Sequence, residues 1–129
     1  MSYYFSKKLV SSFEEAETKI IDELKKNGFG ILTEINVKET LKKKIDVDFR
    51  KYKILGACNP QFAYEALKTE DKIGVLFPCS VVIQELDNPA EVEVAIMNPL
   101  EAMKSIGKPE MLNFAEQIAQ KLQSALSNL

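Results

Sequence analysis

The stretch that decides the fold is Val81-Val82-Ile83-Gln84-Glu85-Leu86-Asp87-Asn88-Pro89-Ala90-Glu91-Val92-Glu93-Val94-Ala95-Ile96-Met97. Its first residues are β-branched, Asp87-Asn88-Pro89 supplies turn chemistry, and Val92, Val94 and Ile96 then alternate with Glu93 and Ala95. This pattern predicts a β-hairpin. Upstream of it, strands and helices alternate instead. A chain that alternates first and then doubles back is neither a pure series of parallel crossovers nor a pair of packed sheets. The expected class is α+β: a two-layer sandwich with one mostly antiparallel sheet of about five strands and the helices on one face. The other face is then polar or covered by a partner.

Working outward, an opening strand is expected near Tyr3 to Leu9. Ser12-x-x-Glu15 forms a capping box, and Phe13, Ala16, Ile20 and Leu24 repeat at helical spacing up to the Gly28 stop. A strand follows from Phe29 to Ile35. Asn36-x-x-Glu39 starts a shorter helix with Val37, Leu41 and Ile45 four apart and its lysines outward. Tyr52 to Cys58 reads as a strand, and Asn59-Pro60 opens a helix to about Lys68. Ile73 to Leu86 is rich in Val and Ile, but Pro78 cannot donate to a ladder, so an edge or bulge is expected there. Asn98-Pro99 opens a last helical region that breaks at Gly107-Lys108-Pro109. From Met111 its apolar residues cover an arc wider than one stripe. That arc either packs wholly inside the domain or supplies a homodimer contact.

The 129 residues are expected to form a single domain, residues 1–129, with 46% hydrophobic and 28% charged residues. The chain contains no histidine. That removes Ser-His-Asp and Cys-His catalysis, histidine-ligated zinc and histidine-held haem. Two cysteines are too few for a secreted disulfide scaffold, and Met1-Ser2-Tyr3-Tyr4-Phe5 lacks the pattern of an export signal, so a cytoplasmic location is expected. The longest uncharged stretch, Ile73 to Gln84, is too short to cross a bilayer, and no membrane partner is expected. Residues 1–53 hold 12 basic and 9 acidic groups, residues 54–129 hold 5 and 10. The basic excess lies between Lys38 and Lys53, but Arg50 is the sole arginine, and no nucleic-acid partner is expected.

Glycine-rich phosphate loops fail on spacing, and adjacent acidic pairs such as Glu14/Glu15 are better explained by capping than by acid/base chemistry. The sulfurs remain. Cys58 ends a predicted strand just before a helix start, where thiolate is favoured over thiol. Cys79 follows Pro78 in the next strand, which a crossover could place beside the third. If the thiols meet, three roles open: a redox pair, a soft-metal site for Cu(I) or Zn(II) helped by Met97 or Met103, or a nucleophile. The plain alternative is that both are small buried hydrophobes. Glu34 is a strand carboxylate needing a cation, with Arg50 or Lys53 as candidates. Cys58, Asn59, Cys79 and Glu34 are thus the candidate ligand-binding residues, with Cys58 and Cys79 as candidate metal ligands. No catalytic residue or cofactor is assigned. The leading expectation is a cysteine-centred small-ligand, soft-metal or redox-handling binding protein. A homodimeric interaction module with structural cysteines, working through its exposed sheet face, and an unassigned enzyme are the alternatives.

Gly28-Phe29-Gly30-Ile31-Leu32-Thr33-Glu34-Ile35, Asp48-Phe49-Arg50, Ile54-Leu55-Gly56-Ala57-Cys58-Asn59-Pro60, Ala63-Tyr64-x-Ala66-Leu67 and Gly74-Val75-Leu76-Phe77-Pro78-Cys79 together form a recognisable pattern. Over nearly its whole length the chain resembles domain-of-unknown-function family 302, a group of small bacterial and archaeal proteins. The resemblance implies a two-layer arrangement similar to that of TATA-binding protein and, by analogy, allows dimers. It implies no activity. Cys58, Asn59 and Pro60 match one family motif, Pro78 and Cys79 the other. Phe77 stands where the family carries leucine, and Asn98 where it carries an aspartate before the proline. A DNA role does not follow from the fold likeness.

Overall fold

The computed structural model describes residues 2–129. The helical layer starts at Ser12, whose Oγ accepts the Glu15 N–H at 3.1 Å and opens helix α1, Phe13–Lys26. Its step of three and four buries Phe13, Ala16, Ile20 and Leu24. The helix stops where Gly28 adopts φ +86°, so that the Gly28 and Phe29 N–H groups reach back to the Lys25 and Leu24 carbonyls at 3.0 and 2.9 Å. Phe29 then drops into the core.

Five strands follow the alternation read above: β1 Tyr4–Val10, β2 Gly30–Asn36, β3 Tyr52–Cys58, β4 Cys79–Glu85 and β5 Glu91–Met97. They form one sheet in the order β1-β5-β4-β3-β2, antiparallel throughout. Between them lie α2 (Val37–Ile45), α3 (Pro60–Thr69) and α4 (Pro99–Met103), and α5 (Pro109–Ser127) ends the chain. The fold is α+β in two layers. Leu55, Val81 and Ile96 form one inward row, and Ile83 and Val94 the next, packed under α1 and the C-terminal half of α5. Burial of such a face is the main favourable contribution to folding.

Several boundaries move. The first strand starts one residue later than expected and runs to Val10. Asp71–Leu76 forms a 3-10 turn rather than strand, and the strand begins at Cys79. Pro78, preceded by a cis peptide bond, stands just outside β4. It marks neither an edge nor a bulge: β4 is central, and because Pro78 precedes the ladder its missing N–H breaks no bond there. The register shift falls in β2, between Ile31 and Thr33.

The arc on α5 packs against this chain. Ile118, Leu122, Ala125 and Leu126 join the main core, while Met111 and Ala115 join Ala66, Ile73 and Met103 in a second cluster at the end of the sheet. Two intramolecular surfaces account for the buried width of the arc, and Leu112 on it stays exposed. In α2 none of the residues is buried, and Ile45 is 64% exposed. Its lysines are exposed, as expected, but Lys38, Lys42 and Lys43 also wall a groove.

At the middle of the sheet β3 passes closely under its neighbours. A Cβ built on Gly56 would collide with Thr33 Oγ1 and the Pro78 ring. Gly56→Ala must therefore push β2 or the Pro78 segment aside, and is expected to cost about 1–3 kcal/mol. That corresponds to a melting midpoint lowered by roughly 4 °C or more. A thermal scan showing an unchanged midpoint would contradict this close approach.

Candidate functional site

Cys58 is the last residue of β3 and Cys79 the first of β4. The ladder pairs Ala57 with Cys79, which brings both thiols to one end of the two strands. They line a single small cavity of about 20 Å³, walled by Phe29, Phe62, Phe77 and Pro78. That volume holds about one water-sized species. Cys79 is buried and Cys58 half-buried, and both are free thiols.

Asn59 organises the rim. Its Oδ1 accepts the Phe62 N–H at 3.3 Å and its main-chain oxygen accepts the Ala63 N–H at 2.9 Å. Its Nδ2 lies over Gly28, where an added Cβ would come within 3.0 Å of it. Pro60 at the first helical position has no N–H to give. Of the amides in the first turn of α3, only that of Gln61 is left for a thiolate. The expectation of a helix-activated Cys58 is therefore corrected. Burial pushes the Cys58 thiol above its ordinary range. Burial, and then the neighbouring Cys58, pushes the Cys79 thiol up to about 11.

The remaining candidates lie elsewhere. Glu34 pairs with Lys53 at 2.8 Å, and Lys53 also holds Glu17 at 3.0 Å. Of the two cations considered, Lys53 is the partner, and it is held protonated chiefly by its bond to Glu34. Glu34 closes the edge of the core and does not line the thiol cavity. Met97 sits on the outer face opposite Tyr4, and Met103 is sealed in the second cluster, so neither thioether reaches the cysteines. Among the described residues, no group of three or more Cys, Asp or Glu could hold a metal, and no helix is long and apolar enough to cross a membrane.

Two other features were poorly visible in the sequence. On the helix-free face, the register aligns Ser6, Ala95, Val82, Ile54 and Ile35 in a row across all five strands. The alternation of Val92, Val94 and Ile96 with Glu93 and Ala95 sets Ala95 on the opposite face from the core, but only the register joins it to the other four. The second is a groove between α1 and α2, signalled in the sequence by aromatics within the basic run Lys38 to Lys53.

Raised thiols couple stability to pH. In the unfolded chain Cys79 ionises near its ordinary value of 9.0, and in the folded chain only near 11. Between those values the folded state binds the extra proton, so stability is intact below about pH 9 and falls as pH rises towards 11. The loss from this group is expected to approach about 2–3 kcal/mol at the alkaline end. Lysine and tyrosine titrate in the same range, so the readout is the difference between urea curves of the wild type and of Cys79→Ala. The wild type should lose more stability from pH 8 to pH 11, and parallel losses would refute the buried thiol.

Comparison with known proteins agrees with the geometry and adds no activity. None of the curated proteins matches the chain. Among solved structures, the crystal structure of an uncharacterized conserved DUF302 protein from Bacillus stearothermophilus superposes with a TM-score of 0.90 at 24% identity, covering 98% of each chain. At that identity the likeness speaks for the fold. The family model for "Domain of unknown function DUF302" matches residues 5–129, and with nearly the whole chain covered, the protein belongs to the DUF302 family.

Proposed function

We propose that the chain is a thiol-centred binding protein whose Cys58 and Cys79 take one soft cation, with Cu(I) the best match. The observation that carries this reading is the shared cavity of about 20 Å³ lined by both Cys58 and Cys79. Its size suits a single atom and argues against an organic ligand. Two thiolates without a further side-chain ligand suit two-coordinate Cu(I), whereas structural Zn(II) asks for four. On binding, each thiol would give its proton to solvent and two Cu–S bonds would form, leaving one net negative charge at the site. A rapid redox pair is a poorer fit, because raised thiols contain little of the thiolate that exchange requires.

A second reading, a homodimeric interaction module, is favoured by the apolar row on the helix-free face. Tyr4 and Met97 extend that row, and Gln84, Glu93, Ser80 and Lys8 surround it with polar groups. An apolar centre with a polar rim is the anatomy of an interface. Five strands about 4.8 Å apart and seven residues long offer on the order of 500 Å² per copy, at the low end for specific association. Such a dimer would be of modest affinity.

Anaerobic titration with Cu(I) against a chromogenic chelator tests the first reading. One copper per chain is expected, bound more tightly as pH rises because the thiols must deprotonate. Cys58→Ser and Cys79→Ser should each abolish it. No bound copper, or equal binding by the double variant, would rule the site out. For the second reading, sedimentation velocity should show concentration-dependent dimers that Val82→Lys returns to monomers. A wild-type chain that stays monomeric at several hundred micromolar would exclude it.

A further inference from the structure

The helix-free face of the sheet holds both a hollow and a projection. The hollow has a volume of about 460 Å³, with Val82 and Gln84 of β4 beside Ala95 and Glu93 of β5 in its floor. Val82 pairs with Ala95 and Gln84 with Glu93, so this floor is continuous across the two strands. Tyr52, opposite Gln84 on β3, closes one end. Tyr3 and Tyr4 close the other, where Tyr4 pairs with Met97. A space of this size admits a small organic group such as a phenol ring.

The projection is Tyr3, which is 76% exposed although its main chain is fixed. Asn98, the one polar residue buried among the described residues, donates its N–H to the Tyr3 carbonyl at 2.8 Å and its Nδ2 to the Ser2 carbonyl at 3.1 Å. The Asn98 Oδ1 is itself held by the Leu100 N–H at 3.1 Å. The Tyr4 ring stands edge to face with that of Tyr3, centroids 4.9 Å apart. A large amphipathic ring on a pinned backbone loses little freedom when it is covered, which is the profile of an interface anchor.

A covered tyrosine also needs an acceptor for its hydroxyl. Glu93 offers one at the Tyr52 end of the hollow. Its Oε1 accepts the Gln84 Nε2 at 3.1 Å, and among the described residues no cation lies within ion-pair distance of it. Lys8, its ladder partner, and Arg50, which donates to the Gln84 Oε1 at 3.4 Å, leave no negative excess there, so a neutral donor suits this end better than a cation does. Glu93 is four residues from Met97 on β5, about 13 Å away. A chain's own Tyr4–Met97 corner thus stands a hollow's length from its own acceptor, whereas a second copy turned onto the face closes that gap. A two-fold contact presents the same patch from both sides, so it requires projection and hollow to share one face, as they do here. Tyr3 precedes β1 and lies outside the strand area of on the order of 500 Å² per copy. Its burial adds roughly 150 Å², towards the about 800 Å² per partner of a standard interface.

Resting on the second reading above, the homodimeric module, we infer that Tyr3 of each copy seats in the hollow of the other, its ring on Val82 and Ala95 there and its hydroxyl donating to Glu93.

The chain has no tryptophan, so Tyr3→Trp places a single fluorescent reporter on the anchor. Over the concentrations at which sedimentation velocity shows the wild type dimerising, its emission should shift to the blue, and adding Val82→Lys should abolish the shift. Tyr3→Ala removes two rings per dimer and should raise the dimer Kd roughly thirtyfold or more. Tyr3→Phe, which keeps the ring without the hydroxyl, should fall between. Asn98 holds the main chain of Tyr3, so these side-chain changes leave the fold in place, as circular dichroism checks. A wild type that never dimerises overturns the reading and the inference together. A wild type that dimerises while Tyr3→Ala associates equally well, or while the Tyr3→Trp emission stays that of an exposed ring, overturns the inference alone.

Discussion

The sheet has two faces and five strands, and the chain supplies one layer of helices. A helix rises about 1.5 Å per residue, so the 14 residues of α1 and the 19 of α5 reach about 21 and 28 Å, against about 24 Å for five strands side by side. One face can be covered along most of its width; the other cannot be covered at all. The bare face and the uneven ends of the covered one both follow from this shortage of helix.

The inward residues track the coverage. Where α1 and α5 lie over the sheet, the positions are Leu55, Val81, Ile83, Val94 and Ile96, all buried. Towards the β2 edge the same face changes character, and Lys53 and Glu34 replace aliphatic side chains. Glu17 of α1 closes the set from above. Half-exposed ion pairs contribute little to stability, typically at most about 1 kcal/mol, so this triad is better understood as a seam. It ends the apolar core where the helices end and keeps an open apolar edge from forming. Beyond the seam only α2 remains, and α2 is too short and too polar to seal the gap.

Much of this was legible in the sequence. The hairpin from Val81 to Met97 and the caps at Ser12, Asn36, Asn59 and Asn98 are local chemistry, and each is found where the residue pattern places it. What local chemistry cannot express is which neighbour a residue meets. Pro78 was read as a disturbance within a strand because its effect on a ladder is general, yet it sits one residue outside the ladder. The wide arc on α5 was ambiguous for the same reason: the second cluster that absorbs Met111 and Ala115 draws on the preceding α4 and on α3 and the Asp71–Leu76 turn, which are distant in sequence. Glu34 could be assigned a cation but not which one, since the distance from Glu34 to Lys53 depends on strand pairing.

The cysteines show why magnitude decides between two sound rules. A helix start favours an adjacent anion by about 0.3–1 kcal/mol in ordinary settings. Raising a thiol from 9.0 to about 11, as for Cys79, corresponds to about 2.7 kcal/mol against the anion. At Cys58, the thiol beside the helix start, desolvation also raises the thiol, and Asn59 already holds the Phe62 and Ala63 amides. The same residue that makes the motif Cys58-Asn59-Pro60 look like an activated thiol is the one that takes two of the first-turn amides. A partner able to replace two protons at once, as a soft cation does, escapes this constraint, because the metal–sulfur bonds form in the same low-dielectric pocket that makes a bare thiolate costly. Low intrinsic thiol reactivity and the proposed preference for a soft cation thus rest on the same buried pair.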